Sequence, residues 1–263
     1  MQDTPVKDRT TAKSAAKAAT ISQTTSQSGS KAANTAFLDP TRLEGNDFTK
    51  STEQFPFFFI KNMLSLDINP QLQAEFPAMK GAGYLPWERN ECGQSVNALV
   101  EELISPTIAD AIGTQLGIER LSQYPTYVSI CQRLNKRHGT IHTDGKSKVA
   151  TALLYLNDHW NTAGKGCLRF LRKIDDINAT IIPEIPPIYG TLAAFKRTEN
   201  SFHGHLPFEG ERRVIQVAWL VSAEDKARKA QRGALSHHLK KLLGWVDRKI
   251  GQGRDDSASR KVK

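Results

Sequence analysis

The stretch "TIHTDG" places His142 and Asp144 one residue apart. In an extended chain, residues i and i+2 face the same side, so this imidazole and this carboxylate would converge on one point. A third ligand from another strand would complete a two-histidine, one-carboxylate facial triad, the donor set that holds ferrous iron and leaves coordination positions open. The spacing therefore predicts a metal site, provided that the fold brings a second histidine to the pair.

The stretch "SFHGHLPFEGERR", residues 201–213, offers that second histidine. His203 lies between a predicted loop and the predicted strand "RVIQVAWLV", as a ligand from a facing strand would. His205 would share the same face if the chain stayed extended. The residues alone therefore leave both histidines open.

Short apolar runs that could position these side chains follow one another from Tyr124 onward. They are separated by Gly, Pro and Asn turns and read "YVSICQRL", "KVATALLYLN", "CLRFLR", "GTLAAFK" and "RVIQVAWLV". Such a series is typical of an antiparallel β sandwich or barrel with helices packed outside. Before it, "FPFFFI" predicts a buried strand, Asn69-Pro70 a helix start, and "SVNALVEELISPTIADAIGTQLG" a helix divided at Pro106. The predicted class is α+β with a mainly β core.

The positive charge of the chain is concentrated at its two ends. The formal net charge is +9, to which residues 1–34 contribute +3 and residues 224–263 contribute +7, while residues 35–223 carry −1. We predict a disordered basic tail over 1–34, one domain over 35–223 with its metal-binding core at 120–221, and a basic amphipathic helix and tail over 224–263. A cationic end favours weak electrostatic contact with a polyanion.

The cysteines and the hydropathy of the chain indicate its expected cellular location. Cys92, Cys131 and Cys167 are widely spaced and contain no Cys-x-x-Cys, which suggests ordinary thiols in a reducing compartment. No apolar run reaches the length of a membrane span, and no hydrophobic signal segment is evident. We therefore expect a cytoplasmic protein.

Six short motifs, in order, resemble the 2-oxoglutarate- and Fe(II)-dependent dioxygenases, in the branch of the prolyl 4-hydroxylase catalytic domains. They are "HTD", "TALLYLNDHW", "GKGCLRF", "PPIYGTLAAF", "SFHGHLPF" and "RRVIQVAWL". The resemblance implies a double-stranded β-helix of the jelly-roll or cupin-like type, with supporting N-terminal helices and a C-terminal basic helix. It also implies that His142, Asp144 and His203 are the iron ligands. His203 is preferred to His205 because the family's ligand follows an aromatic residue and precedes a proline by four positions, as His203 does.

The same resemblance implies a site for the co-substrate, 2-oxoglutarate. Its distal carboxylate would be held by Arg213, which stands at the start of the last strand, whereas Arg212 would face the opposite side. Tyr155 resembles a family tyrosine that hydrogen-bonds the same carboxylate, and Thr151 shares its face and would line the pocket. The expected cofactors are Fe(II) and 2-oxoglutarate, with ascorbate as a candidate stimulant.

Two departures from the family pattern affect the pocket rather than the ligands. The chain has "KGCL" (165–168) where relatives commonly have Gly-Gly-Glu-Leu, and Cys131 and Arg133 lie on a strand where many relatives have a tyrosine. His138 and His159 are interpreted as surface or structural histidines.

The expected activity is hydroxylation of an unidentified small-molecule or peptidyl substrate, with release of succinate and CO2. The alternative is a non-catalytic jelly-roll binding protein that uses its basic tails on an acidic partner.

Overall fold

A computed structural model describes residues 36–45 and 48–233 of the chain. The predicted tail over 1–34 lies outside the described residues. So does most of the predicted C-terminal segment, including its apolar stripe from Leu235 to Ile250. Only the beginning of that segment is described, and it forms a helix over 223–233.

In the described chain, four α-helices and three short strands are interspersed up to Leu116, six strands follow, and a fifth helix comes last. The helices are α1 (Thr41–Glu44), α2 (Asn69–Glu75), α3 (Gln94–Leu103), α4 (Pro106–Leu116) and α5 (223–233). The strands are β1 (Thr49–Ser51), β2 (Phe57–Ile60), β3 (Tyr84–Pro86), β4 (Thr126–Leu134), β5 (Lys148–Tyr155), β6 (Arg169–Phe170), β7 (Leu192–Lys196), β8 (His203–Gly204) and β9 (Gly210–Leu220).

The apolar runs predicted as strands overlap β2, β4, β5, β7 and β9, whereas "CLRFLR" contains only the two residues of β6. Helices α2, α3 and α4 correspond to the segments predicted as helical. Pro106 divides the predicted long helix into α3 and α4 because it occupies the first turn of α4, where a missing N–H costs nothing. The side chain of Ser105 caps α4 by accepting from the N–H of Ile108, and Gly117 ends the helix at φ 64°. Both ends of α4 are thus fixed locally.

The strands form one large sheet and one small one. The large sheet has seven strands in the order β1-β2-β7-β5-β9-β4-β3, and every pair in it is antiparallel. The pair β6-β8 forms the small sheet. This mainly antiparallel architecture is consistent with a jelly-roll.

Each face of the large sheet packs into a different core. One face carries Ile130, Leu154, Ile215 and Trp219, which join the buried side chains of α2, α3 and α4 in the main hydrophobic cluster. The other face carries residues such as Tyr155, Phe195 and Val214, which pack with the small sheet. The helices therefore cover one face and leave the second face to line a cavity. Among the described residues, no helix is both long and apolar enough to cross a membrane.

Candidate active site

His142, Asp144 and His203 come together where the β4–β5 connection meets β8. The backbones of His142 and His203 form an isolated antiparallel bridge, in which each N–H donates to the other's carbonyl oxygen at 3.0 Å. The two ring centroids are 4.4 Å apart. One potential ligand atom from each of the three side chains lies within 4.8 Å of the others. Backbone hydrogen bonds therefore tie the two segments together, and the three side chains converge on one point.

His205 lies outside this cluster. Its backbone N–H donates to Gly139 at 2.9 Å, and its ring packs so closely on Gly139 that an added Cβ there would lie 2.1 Å from it. Its Nδ1 lies 2.8 Å from the carbonyl oxygen of Leu206. Of the two histidines that the sequence left open, His203 is the one brought to His142 and Asp144.

The two clustered imidazoles are oriented by backbone carbonyl groups. Nδ1 of His142 lies 2.7 Å from the Thr140 oxygen, and Nδ1 of His203 lies 2.9 Å from the Ser201 oxygen. A carbonyl oxygen can only accept, so each Nδ1 carries the hydrogen and each Nε2 keeps a free lone pair. This is the tautomer that a metal-binding imidazole requires.

The Asp144 carboxylate is buried and held at both oxygens. Lys148 Nζ donates to Oδ1 at 2.6 Å, and Thr151 Oγ1 donates to Oδ2 at 2.6 Å. Burial by itself would raise the pKa of Asp144, but Lys148 and the two imidazoles outweigh it, and the pKa lies well below its ordinary value. Burial, followed by repulsion from His142, lowers the pKa of His203 to about 3. At neutral pH the cluster therefore presents an anionic carboxylate and a neutral His203.

Lys148 reaches Asp144 because of a β-bulge that the sequence pattern did not reveal. Lys148 pairs with Leu220 and Ala150 with Trp219, so Val149 is an extra residue in β5. Without it, Lys148 would lie on the helix-covered face, opposite Thr151. The bulge puts both side chains on the cavity face, where they hold the same carboxylate. No local sequence signal marks this bulge.

Arg212 supplies the deepest positive charge of the cavity. The residue is 2% exposed. Its Nε donates to the Gly166 carbonyl oxygen at 3.0 Å, and its terminal nitrogens donate to the hydroxyls of Tyr84 and Tyr155 at 3.3 and 3.4 Å. Within residues 36–45 and 48–233, no carboxylate pairs with it. A buried guanidinium without a counter-ion is costly, which indicates that this position is built to receive an anion.

The expected places of the two adjacent arginines are reversed in the structure. Arg213 was expected in the pocket, but its side chain lies on the other face, where Nη1 donates to the Gln73 carbonyl oxygen at 3.1 Å and the guanidinium lies over the Phe76 ring. Nε also pairs with Glu211. Arg213 shares its face with Trp219, as expected from their even spacing, but this face is the one covered by helices. The structure therefore places Arg212, and not Arg213, on the cavity face.

The pairing of β4 with β9 is irregular at the two arginines. Cys131 pairs with Val214 and Arg133 with Glu211, so Arg212 and Arg213 together oppose a single residue of β4. Bulges of this kind redirect side chains and are common beside active sites.

The other two predicted co-substrate residues lie at different parts of the cavity face. Tyr155 is fully buried, and its hydroxyl accepts from Arg212. Thr151 instead hydrogen-bonds to Asp144, so it supports the metal cluster rather than the arginine. Both share one face of β5, as the two-residue period predicted.

The cavity contains further residues that the sequence analysis missed or placed differently. Its lining includes Tyr84 of β3, and Lys229 of α5. His138 also lines it and is buried, which fits the structural but not the surface interpretation, whereas His159 is exposed. Tyr84 could have been found only from the β3–β4 pairing, because it lies far from every motif in the sequence.

The donor set at the cluster fits Fe(II). Two imidazole nitrogens and one carboxylate oxygen are the donors of the facial triad typical of non-haem ferrous sites. Each of the three side chains is also oriented by hydrogen bonds to other groups. A backbone carbonyl oxygen accepts from each imidazole, and Lys148 and Thr151 donate to the carboxylate. The fold and site thus define a mainly antiparallel β protein with a His-Asp-His cluster that could hold a metal ion.

Comparison with known families agrees with this class. Residues 129–221 match the model of the 2OG-Fe(II) oxygenase superfamily. The matched region runs from β4 to the end of β9 and includes the whole cluster and Arg212. No curated protein matches the chain in sequence.

Solved structures similar to the chain include three prolyl hydroxylases. A Pseudomonas putida prolyl-4-hydroxylase is 15% identical, with 69% of this chain and 88% of that chain covered and a TM-score of 0.43. A Trichoplax adhaerens prolyl hydroxylase, in complex with a hypoxia inducible factor peptide fragment, is 16% identical, with coverages of 72% and 89% and a TM-score of 0.42. A collagen prolyl hydroxylase of Paramecium Bursaria Chlorella virus-1 is 18% identical, with coverages of 62% and 94% and a TM-score of 0.43. Because the TM-scores are below 0.5, none of these structural similarities specifies a substrate for this chain.

Proposed function

We propose that this protein is an Fe(II)- and 2-oxoglutarate-dependent dioxygenase that hydroxylates a carbon atom of a substrate still to be identified. The observation that carries the proposal is the occurrence of two features in one cavity: a His-Asp-His cluster, and a buried arginine that has no carboxylate partner among the described residues. The first feature fits ferrous iron, and the second fits the acid end of a 2-oxo diacid.

His142, Asp144 and His203 would hold the iron. When bound there, ferrous iron supplies open coordination positions for a 2-oxo acid and dioxygen, and so allows coupled oxidation of 2-oxoglutarate and a substrate C–H bond. The reaction balances as 2-oxoglutarate plus O2 plus R–H giving succinate, CO2 and R–OH. The protein contributes the ligands, their orientation and the shape of the cavity.

Lys148 and Thr151 would keep the Asp144 carboxylate in one orientation. Each donates to a different oxygen at 2.6 Å, so the carboxylate cannot rotate without losing a buried hydrogen bond. Each oxygen retains a lone pair for the metal.

Arg212, rather than Arg213, would bind the distal carboxylate of 2-oxoglutarate. The planar guanidinium suits a carboxylate, and burial strengthens the interaction. Tyr155 would hydrogen-bond the same group, as predicted. Leu153, Leu168 and Phe195 form an apolar part of the lining, which would limit the entry of water beside the reacting groups.

The substrate class, the cellular location and the role of the C-terminal segment belong to the proposal as predictions. A small molecule and a peptidyl side chain both remain candidate substrates, and the expected location is the cytoplasm. Contact of the basic C-terminal tail with a polyanion also stays a prediction, because the tail beyond residue 233 lies outside the described residues. The alternative of a non-catalytic binding protein is not favoured, since a pure scaffold needs neither the cluster nor a buried arginine beside it.

Formation of succinate tests the proposal. The protein is incubated in air with Fe(II), 2-oxoglutarate and ascorbate, without added substrate, and succinate is measured alongside bound iron. We expect slow succinate formation that is abolished in His142→Ala and Asp144→Ala and retained in His159→Ala, a change at an exposed histidine. Unchanged turnover in either cluster variant, with iron still bound, would reject the assignment. No consumption of 2-oxoglutarate by the iron-loaded wild-type protein would favour the non-catalytic alternative.

A further inference from the structure

Two phenol groups flank the Arg212 guanidinium, and only one of them was expected. Tyr155, on β5, lies within the region that matches the oxygenase family. Tyr84, on β3, lies before that region in sequence. Arg212 donates to the Tyr84 hydroxyl oxygen through Nη1 at 3.3 Å and to the Tyr155 hydroxyl oxygen through Nη2 at 3.4 Å. The arginine is thus held symmetrically between two hydroxyls.

The register of the large sheet accounts for this symmetry. Tyr84 pairs with Cys131, Cys131 pairs with Val214, and Val214 pairs with Tyr155. The four residues form one row across β3, β4, β9 and β5, so the Cα atoms of the tyrosines are roughly 14 Å apart, three strand spacings. The two inner residues are small, which leaves room for both phenols to lean toward the middle of the row, where Arg212 lies.

The direction of these hydrogen bonds leaves donors available. A guanidinium can only donate, so each phenol oxygen accepts from Arg212 and keeps its own hydrogen for another acceptor. None of residues 36–45 or 48–233 accepts either hydrogen. Burial raises the pKa of both phenols above its usual range, so both remain protonated.

The hydrogen-bond donors that remain around Arg212 match the acceptors of a carboxylate. Of the five guanidinium N–H groups, one donates to Gly166 and one to each tyrosine. About two N–H and two O–H donors therefore remain at this point, and an ionised carboxylate offers about four lone-pair sites. A carboxylate held only by Arg212 and Tyr155 would leave the hydrogen of the half-buried Tyr84 hydroxyl without an acceptor among the described residues.

We propose that Tyr84 is a second phenol that binds the distal carboxylate of 2-oxoglutarate, supplied by a strand outside the region that matches the family. The inference rests on the proposed function and adds a binding residue to it. Tyr84 and Tyr155 would donate to the carboxylate from opposite sides, while Arg212 supplies the charge.

Binding measurements without oxygen test this role independently of turnover. The Fe(II)-loaded protein is titrated by calorimetry with 2-oxoglutarate and with 2-oxopentanoate, which keeps the 2-oxo acid and lacks the distal carboxylate. A hydrogen bond to a charged group predicts about a tenfold loss of 2-oxoglutarate affinity in Tyr84→Phe and in Tyr155→Phe. Affinity for 2-oxopentanoate should not change in either variant.

Tyr189→Phe is the matched control. Its hydroxyl is also hydrogen-bonded, to the Ser65 carbonyl oxygen at 2.8 Å, but it belongs to the helix-covered core and does not line the cavity. We expect wild-type affinity for both 2-oxo acids in this variant. If Tyr84→Phe does not fold with a wild-type Tm, Tyr84→Met repeats the comparison.

The outcomes separate this inference from the function on which it rests. Wild-type affinity for 2-oxoglutarate in Tyr84→Phe, or an equal loss of affinity for both 2-oxo acids, overturns the role of Tyr84 and leaves the function standing. Failure of the wild-type iron protein to bind 2-oxoglutarate overturns both.

Discussion

Replacing Arg212 and Arg213 one at a time by methionine should separate a ligand-binding arginine from a packing arginine. The two residues are adjacent in β9 and point to opposite faces. Arg212 is 2% exposed and contacts two hydroxyls and a carbonyl oxygen. Arg213 is 20% exposed in its side chain and contacts Gln73, Glu211 and the Phe76 ring.

Arg212→Met should weaken 2-oxoglutarate binding strongly and change the stability of the ligand-free protein little. Losing one partner of a buried, hydrogen-bonded charge pair costs about 2 to 5 kcal/mol, or at least about thirtyfold in affinity. In the free energy of unfolding, the relief of a buried unpaired charge offsets the loss of three hydrogen bonds. We therefore expect a stability change within about 1 kcal/mol, of either sign.

Arg213→Met should have the reverse effect. It removes the hydrogen bonds to Gln73 and the cation–π contact with Phe76, and the pair with Glu211 counts little because Glu211 is exposed. These contacts predict a loss of about 1 to 2 kcal/mol in the free energy of unfolding. Affinity for 2-oxoglutarate should stay within about twofold of wild type, since a change of that size is below 0.5 kcal/mol.

Urea unfolding of the metal-free variants and anaerobic calorimetry of the Fe(II)-loaded variants measure the two quantities. The reasoning is refuted if Arg213→Met loses 2-oxoglutarate binding while Arg212→Met retains it. It is equally refuted if both variants bind 2-oxoglutarate like the wild type, because the buried guanidinium would then have no role in binding.

Three further predictions concern the cluster, its pH dependence and its packing. Asp144→Asn should weaken Fe(II) binding about 100-fold or more, measured by competition with a fluorescent chelator. The control variant His159→Asn should bind Fe(II) like the wild type. Equal Fe(II) affinities of Asp144→Asn and the wild type would exclude Asp144 as a ligand. Burial and then Arg212 lower the pKa of His205 to about 3, so between pH values of about 6.5 and 3 only the unfolded chain takes up this proton. His205 should therefore lower the free energy of unfolding of the metal-free protein by about 1.4 kcal/mol per pH unit below about 6.5, in addition to a similar contribution from His203. Urea unfolding of metal-free His205→Gln should show a slope that is shallower by about the His205 contribution. Gly139 has φ 85° and packs against the His205 ring, so Gly139→Ala should cost about 2 kcal/mol or more in the free energy of unfolding. At Gly145 an added Cβ would meet only Ser147 Oγ, at 4.0 Å, so Gly145→Ala should change the free energy of unfolding by less than about 0.5 kcal/mol. Equal Tm values for these two glycine variants would contradict the close approach at Gly139.

Much of the fold could be predicted because its signals are local. The two-residue alternation of "KVATALLYLN" predicted that Thr151 and Tyr155 share a face, and Pro106 predicted the break between α3 and α4. The His-x-Asp spacing predicted that His142 and Asp144 would converge. Each of these features depends on the geometry of a few neighbouring residues.

The assignments that failed or were missed depend on register between strands. Alternation determines that Arg212 and Arg213 face opposite sides, but it does not say which side is the cavity. The bulge at Val149 then shifts the pattern of β5 by one residue, so that Lys148 lies on the same face as Thr151. A shift of one residue exchanges the faces of a strand, and nothing in a single sequence marks it.

The sequence by itself determined the element types, the convergence of His142 and Asp144, and a short list of partners for them. Spacing alone left His203 and His205 open, the family resemblance favoured His203, and the tertiary structure brings His203 to the pair. Only the tertiary structure decided that Arg212 rather than Arg213 enters the cavity, that Lys148 contacts Asp144, and that Tyr84 contacts Arg212. The physical reason is that spacing along one strand fixes which side chains point the same way. The pairing of separate strands fixes what those side chains meet.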